Sequence, residues 1–251
     1  MMRGHPATAA DWLARAQQRV EVLAGKQTLL TQGHTYRCYA GPTNALLGRV
    51  EEGERHLSEY ETFIRERTPR DAWRNAQVLT HRALFSQLSG APDDVIERQF
   101  ERLAQLRPNP KGYSLQQQHV FVAKGYRRCE LARRPGAGAA QVRALLRAIE
   151  ELSATRRHPT MRAHGLVIAG CAQSLTGRSP DAAWGEALRL ARATQNPWVE
   201  FELTLMRAHH AQRSGDGAQA ETLQREAQTL AKAGGWPLLE RRAVRAFDAS
   251  R

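Results

Sequence analysis

The stretch GRSPDAAWGEALRLARATQNPW, residues 177 to 198, contains one helix together with its start and stop signals. Ser179 offers a hydroxyl that can cap the first free N–H groups, and Pro180 suits the first helical position, where no donor is needed. Behind them, Trp184 and other apolar residues recur at the spacing of one helical face. Pro197 ends the helix, because proline restricts the residue before it and has no N–H to donate. The stretch predicts one amphipathic helix.

The same helix start and stop signals recur along the chain. Glycines that would close the turn inside a helix pair are separated by 38 to 46 residues, and prolines that would open the next pair are separated by 38 to 49 residues. The glycines are Gly48, Gly90, Gly136, Gly177 and Gly215, and the prolines are Pro69, Pro110, Pro159, Pro197 and Pro237. The repeat predicts helix pairs at 70–107, 112–157, 160–195 and 198–233, with a less regular pair before them and a partial one from Trp236.

The second helix of each predicted pair carries a narrow apolar stripe. Ala220, Leu223 and Ala227, for example, step by three and four residues. A pair of this size cannot bury such a face alone, so successive pairs are expected to stack into a continuous core. We therefore predict an all-α fold without a sheet, in which antiparallel helix pairs repeat about every 40 residues as a right-handed solenoid.

The repeat favours a single helical-repeat domain over residues 1–251. Gly41-Pro42 should kink or break whatever helix spans it, and segment 8–30 is then expected to pack as one helix across the first pair. The predicted parts are irregular N-terminal helices at 1–47, stacked helix pairs at 48–235 and a C-terminal capping helix at 236–251.

Two strings resemble tetratricopeptide (TPR)-like helical repeats, namely NALLGRVEEGERHL (44–57) and RAHHAQRSGDGAQAETLQREAQTLAKAGGWPLLERRA (207–243). More particularly, they are similar to the C-terminal repeat tails of bacterial signalling ATPases and serine/threonine kinases. The resemblance covers most of residues 44–245. It implies a TPR-like solenoid that serves as a protein-binding scaffold or as the sensor arm of a bacterial signalling system, with no catalytic residue of its own.

Composition and charge narrow the class of protein. The chain carries a formal charge of +12, and 41% of its residues are hydrophobic. No apolar run approaches the roughly 20 residues of a membrane span, and the N-terminal segment lacks the apolar stretch of a secretory signal. We therefore expect a cytoplasmic protein without a membrane partner.

The cysteines, Cys38, Cys129 and Cys171, are isolated and odd in number, which predicts buried free thiols rather than a disulfide framework.

Motifs for catalysis are missing from the sequence. It has no Gly-x-x-x-x-Gly-Lys, Gly-x-Gly-x-x-Gly, Gly-x-Ser-x-Gly or His-Glu-x-x-His pattern. The neighbours His209 and His210 would point about 100° apart on a helix, which makes them a poor metal pair. We therefore predict that the protein is not an enzyme and has no cofactor and no metal site.

Positive charge is concentrated in segment 120–178. Eleven basic residues there face three acidic ones, which leaves an excess of eight positive charges. Such a surface attracts phosphates or acidic proteins. A protein-interaction scaffold is the favoured hypothesis, a binder of nucleic acid or of an acidic ligand through this segment is the alternative, and an enzyme with an unrecognised site is the third.

The first helices of the pairs mix bulky and polar residues around more of their circumference than the second helices do. We therefore predict that the first helices line a concave side on which a protein partner binds. The opposing hypothesis is that their polar residues are ordinary surface groups. The candidate partner-binding residues are Gln77, His81, His119, Lys124, Arg127, Arg128, Glu202 and His209.

Overall fold

A computed structural model describes residues 6–23, 36–106, 115–154 and 158–248. Every regular element in these ranges is helical, so the all-α class is confirmed. None of these helices has both the length and the hydropathy that a membrane span requires. The helices are α1 (Pro6–Leu23), α2 (Tyr36–Leu46), α3 (Val50–Arg67), α4 (Ala72–Ser89), α5 (Asp93–Gln105), α6 (Leu115–Arg133), α7 (Ala139–Ser153), α8 (Pro159–Leu175), α9 (Asp181–Ala193), α10 (Pro197–Arg213), α11 (Gly217–Ala233) and α12 (Pro237–Asp248).

A left-handed glycine lies in the turn after each of α2, α4, α6, α8 and α10. The five glycines of the sequence repeat have φ angles between 69° and 83°, a region that a side chain with a Cβ rarely adopts. In four of these turns the residue after the glycine donates its N–H to a carbonyl five residues back, as Ala91 does to Ser86 at 3.0 Å. The predicted turns within the helix pairs are therefore confirmed. We call α2, α4, α6, α8 and α10 the first helices, and α3, α5, α7, α9 and α11 the second helices.

The prolines of the repeat mark helix starts. Pro159, Pro197 and Pro237 are the first residues of α8, α10 and α12, where the missing N–H costs nothing. Pro69 precedes α4, whose first turn is capped by Asp71, and Pro110 lies outside the described residues. The start of α9 differs slightly from the prediction, because the helix begins at Asp181, after Pro180. The Asp181 N–H still reaches the Ser179 hydroxyl, at 3.3 Å.

The sequence predicts a kink or a break at Gly41-Pro42, and the break is not observed. Helix α2 continues through both residues, and both are buried. A Cβ at Gly41 would lie 2.5 Å from Leu57 Cγ, so the glycine lets α3 pack very closely against this part of α2. Tertiary packing therefore keeps residues helical that would interrupt an isolated helix. The predicted helix at 8–30 is described only as far as Leu23, and residues 24–35 lie outside the described residues.

The chain divides into two compact units. The first contains α1 to α5 with residues 235–238, and the second contains α6 to α11 with α12 from Leu239 onward. Within the first unit, α2 packs against α1, α3 and α4, and α4 packs against α5. Within the second unit, α8 packs against α6, α7, α9 and α10, and α10 packs against α11. In both units, a first helix therefore contacts its own second helix and also the neighbouring first helix.

First and second helices differ in how much of their surface is buried. In α10 every residue from Trp198 to Met206 except Glu200 is buried. In α11 the buried residues are only Ala220, Leu223, Ala227 and Ala231, which form one stripe. The second helices therefore carry one buried stripe, as predicted, whereas the first helices are enclosed on several sides.

Trp184 of α9 lies between neighbouring helices, as its position in the apolar stripe predicts. Its side chain is 5% exposed, its Nε1 donates to the carbonyl of Val167 in α8 at 3.2 Å, and its ring meets His210 of α10 edge-on at 5.6 Å. A Cβ at Gly170 would come within 2.2 Å of the indole nitrogen. The missing side chain at Gly170 therefore makes room for the tryptophan.

Candidate functional site

Five of the eight candidate partner-binding residues are buried. The five are therefore not exposed on a common face, as the partner-binding hypothesis expects. They are not ordinary surface groups either, as the opposing hypothesis expects. Direct contact with a partner stays a prediction. The buried residues, with exposed fractions of 1 or 2%, are Gln77, His81, His119, Arg127 and Glu202, and the half-buried residues are Lys124, Arg128 and His209.

Gln77 and His81 belong to a polar network in the first unit. The Tyr60 hydroxyl donates to Gln77 Oε1 at 3.1 Å, and Gln77 Nε2 donates to the Tyr39 hydroxyl at 3.5 Å. The His81 Nδ1–H donates to the Gln77 carbonyl at 2.8 Å, and the His81 ring meets Tyr39 edge-on at 4.9 Å. Buried polar groups need such partners to offset their lost hydration. The network therefore joins α2, α3 and α4.

Four aromatic rings of the second unit pack together where α6, α8 and α10 meet. His164 contacts Trp198 edge-on at 5.1 Å, and His119 stacks on Trp198 at 6.4 Å with an interplanar angle of 16°. The Tyr126 hydroxyl and His164 Nδ1 share a hydrogen bond of 2.8 Å. Burial and the neighbouring His119 lower the pKa of His164 well below its usual value, so the ring is neutral. Among the candidates named from sequence, only His119 belongs to this cluster.

Glu202 of α10 is a buried carboxylate whose hydrogen-bonding partners come from two helices. Trp198 Nε1 donates to its Oε1 at 3.2 Å, and Arg242 of α12 forms an ion pair with its Oε2. The Arg242 guanidinium also lies 5.4 Å from the ring centroid of Phe201. Burial would lower the pKa of Arg242, but Glu202, with smaller contributions from Glu130 and Tyr126, acts in the opposite direction and the pKa is raised. The ion pair between Glu202 and Arg242 therefore connects α10 with α12.

Two of the candidates on α6, Arg127 and Lys124, form ion pairs. Arg127 donates to Glu130 at 2.9 Å, and Arg134 donates to the same oxygen at 2.7 Å. Burial would raise the pKa of the Glu130 carboxyl, but these two guanidinium groups together with that of Arg242 outweigh burial, and the pKa is lowered. Lys124 is paired with Glu151 of α7 at 2.7 Å. Part of the positive charge in segment 120–178 is therefore neutralised.

A polar group at the C-terminal ends of α6, α8 and α10 contains the half-buried candidate His209. We call Arg133, Ser174, His209, His210 and Arg213 the arginine rim. Ser174 Oγ lies 2.7 Å from His210 Nδ1 and accepts a hydrogen bond from Arg213. Burial, with smaller contributions from arginines that include Arg133 and Arg213, lowers the pKa of His209 to about 2. His209 is therefore neutral beside two cationic groups.

The three cysteines are free and buried, which confirms the prediction made for them.

Metal-ligand side chains are dispersed in the described ranges, where no three His, Cys, Asp or Glu residues come close enough together to hold an ion.

We expect the free energy of unfolding to fall as the pH is lowered from 7.5 to 5.5. His164 and His209 have lowered pKa values and stay neutral in the folded protein, whereas unfolded histidine takes up a proton near pH 6.5. The unfolded state then binds more protons, so each histidine reduces stability by about 1.4 kcal/mol over this range. Urea denaturation at the two pH values measures the loss.

The matched variant for this prediction is His164→Gln combined with His209→Gln. It should lose about 3 kcal/mol less than the wild-type protein between the two pH values, whatever its stability at pH 7.5. Carboxyl groups titrate mainly below this window and contribute little to the difference. Equal losses in the two proteins would contradict the assignment of both histidines as neutral.

No protein-family model, curated protein or solved structure matches this chain. The resemblance of 44–57 and 207–243 to the repeat tails of signalling proteins is therefore untested and stays a prediction. Functional inference rests on the geometry of the described residues.

Proposed function

We propose that the chain is a non-catalytic helical-repeat scaffold that binds a protein partner. The contacts of the second unit support this proposal, because α8 packs against both α6 and α10, while each of the three also packs against its own second helix. Such contacts are typical of a solenoid of helix pairs. A right-handed arrangement of TPR-like repeats, and a role as the regulatory arm of a bacterial signalling system, are part of the same proposal.

The arginine rim is the proposed partner-binding surface. Arg133 donates to the Cys129 carbonyl at 3.2 Å and to Met206 Sδ at 3.1 Å, and Arg213 donates to Ser174. Neither guanidinium forms an ion pair with a carboxylate of the described residues. Burial, together with Arg133, lowers the pKa of Arg213, which indicates that its charge is poorly compensated. An acidic segment of a protein partner would supply the missing carboxylates.

The positive charge of an arginine at the C-terminal end of a helix also interacts favourably with the helix dipole and so stabilises the helix. This effect on helix stability is by itself a sufficient reason for Arg133 and Arg213 to lie at the ends of α6 and α10. A binding experiment must therefore separate partner recognition from helix stability.

The test compares three forms of the chain in affinity capture from native extract, with quantitative mass spectrometry. One variant carries Arg133→Gln and Arg213→Gln in the arginine rim. The control carries Arg143→Gln and Arg147→Gln, which removes the same charge from exposed positions on α7. We expect the rim variant to recover its specific partner at least about tenfold less well, a loss of about 1.4 kcal/mol of binding energy, and the control to match the wild-type protein.

Circular dichroism melts establish that all three proteins are folded. Loss of the partner in the control variant alone would contradict the proposed surface and place binding on the second helices. Equal recovery of the partner by all three proteins would show that the arginine rim does not bind it.

Nucleic-acid binding through segment 120–178 is the second candidate function. Arg143 and Arg147 favour it, because they are exposed one turn apart on α7. The ion pairs of Lys124, Arg127 and Arg134 argue against a large phosphate-binding surface. The same variants decide between the functions, since binding of labelled single-stranded RNA that falls with salt and is lost in the Arg143/Arg147 variant would support nucleic-acid recognition.

A further inference from the structure

The outer surface of α7 differs from that of the other second helices in carrying an exposed large apolar side chain. Leu146 is 45% exposed, whereas the exposed residues described on α3, α5, α9 and α11 are small, polar or charged. Leu146 belongs to a set of exposed residues that recur every three or four positions and therefore form one row along the helix. We call this row the α7 face, and its residues are Ala139, Arg143, Leu146, Glu150 and Ser153.

The charged side chains of this surface are not neutralised by the part of the chain that the structure describes. Arg143, Arg147 and Glu150 form no ion pair with the described residues. The Ser153 hydroxyl donates to the backbone carbonyl of Glu150, at 2.6 Å, and not to its carboxylate. Arg143 and Arg147 are four positions apart on the helix, where like charges repel each other. The α7 face therefore offers both a positive and a negative charge to a binding partner.

We propose that the chain binds a second copy of itself through the α7 face, with the two α7 helices antiparallel and crossing at Leu146. A two-fold pairing brings the same surface of each copy together, so Leu146 meets Leu146 of the second copy. Arg143 lies three residues before Leu146, and Glu150 lies four residues after it. In the antiparallel pair, Arg143 of one copy and Glu150 of the other therefore differ by only about 1.5 Å along the helix axis. Two reciprocal ion pairs then flank the leucine contact.

The ends of the α7 face are compatible with close packing of two helices. Ala139 and Ser153 are small, and packed helices lie about 8–10 Å apart, a distance that an arginine and a glutamate side chain together can span. A parallel pairing would place Arg143 beside Arg143 of the second copy, and the like charges would repel each other. The arrangement of charges on the α7 face therefore favours the antiparallel alignment.

Glu150 distinguishes a second copy from nucleic acid as the occupant of this surface. Its carboxylate lies one helical turn from Arg147 and would repel the phosphates that the two arginines attract. In the dimer the same carboxylate is matched by Arg143 of the second copy, and Leu146 is removed from water. The mixed charge and the apolar centre therefore fit a copy of the chain better than a polyanion.

The dimer is expected to be weak. Each copy contributes one helix of 15 residues, so the buried area falls below the about 1,200–2,000 Å² that is typical of stable interfaces. We expect a dissociation constant of about 10–100 µM, so that dimers form only when the chain is concentrated.

Sedimentation equilibrium of the full chain over about 5–500 µM measures this constant. Arg143→Glu and Glu150→Arg each place like charges opposite one another in the dimer, and each variant should associate at least about tenfold more weakly than the wild type. The control is Arg192→Glu, which makes the same charge change at an exposed position on α9 and should leave the dissociation constant unchanged. Circular dichroism establishes that all variants are folded.

Mixing the two α7 variants provides the decisive measurement. A copy with Arg143→Glu and a copy with Glu150→Arg place a glutamate opposite an arginine at both positions, so the mixture should form a heterodimer about as tight as the wild-type dimer. One variant carries a fluorescent label, so that its association with the other is followed directly. The double variant Arg143→Glu with Glu150→Arg should likewise associate with itself.

The proposal is overturned if the wild-type chain stays monomeric up to about 500 µM, if either single variant dimerises like the wild type, or if the mixture does not associate. A monomeric wild type whose labelled RNA is released by Arg143→Glu would assign the surface to nucleic acid instead. The α7 face shares no residue with the arginine rim, so a failure of dimerisation and a failure of the proposed scaffold function are distinguishable.

Discussion

Replacing Trp184 with alanine is expected to reduce the free energy of unfolding by about 3–5 kcal/mol, the range for deleting a large buried aromatic side chain. The indole is 5% exposed, occupies the space left by Gly170 and contacts His210. Its removal would leave a cavity among α8, α9 and α10 and would take a hydrogen-bond donor from the Val167 carbonyl. Urea denaturation followed by far-ultraviolet circular dichroism measures the change.

Trp73 is the matched control, because it is also a helical tryptophan but is 51% exposed. Trp73→Ala should cost less than about 1 kcal/mol, as is usual for surface substitutions. A loss below about 1 kcal/mol for Trp184→Ala as well would contradict the packing of α9 described above.

Removing the Arg242 side chain is expected to be nearly as damaging. In Arg242→Ala the Glu202 carboxylate, which is 1% exposed, would keep the Trp198 N–H as its one hydrogen-bonding partner among the described residues. An unpaired buried charge typically costs 3–5 kcal/mol, and because Arg242 is 31% exposed we expect the lower end, about 3 kcal/mol. Chemical denaturation at pH 7.5 measures the loss.

Two comparisons establish whether the buried charge causes the loss. Arg241→Ala changes an exposed arginine on the same helix and should cost less than about 0.5 kcal/mol. Glu202→Gln combined with Arg242→Ala should be more stable than Arg242→Ala alone, since the carboxylate charge is then absent. A double variant as unstable as the sum of its single variants would show that the ion pair carries no coupling energy.

Helix boundaries could be predicted from sequence because their causes are local. A glycine with a left-handed φ and a proline at the first helical position act through their own backbones, and Gly177 and Pro197 therefore mark the ends of helices wherever the chain goes. The break predicted at Gly41-Pro42 is absent for the opposite reason. The close packing of Leu57 against Gly41 belongs to the tertiary structure and leaves no trace in the local sequence.

The polar residues of the first helices were harder to interpret. A helix enclosed on several sides and an exposed helix both show polar residues around much of their circumference, so periodicity does not separate them. The distinction depends on pairings between distant residues, such as Tyr126 with His164, which are 38 positions apart, and Glu202 with Arg242, which are 40 positions apart. No pattern within one helix reports such a pairing.

The buried pairings make the repeats of the second unit non-interchangeable. The hydrogen bond between Tyr126 and His164 forms only when α6 and α8 are neighbours in one particular alignment, and the Glu202 ion pair needs α12 beside α10. Apolar stripes alone would tolerate a shifted or exchanged pair, because one alanine and leucine face packs much like another. A shifted pair would instead bury a tyrosine hydroxyl or a carboxylate without a partner, at a cost of several kcal/mol. The polar core thus encodes the order in which the helix pairs assemble.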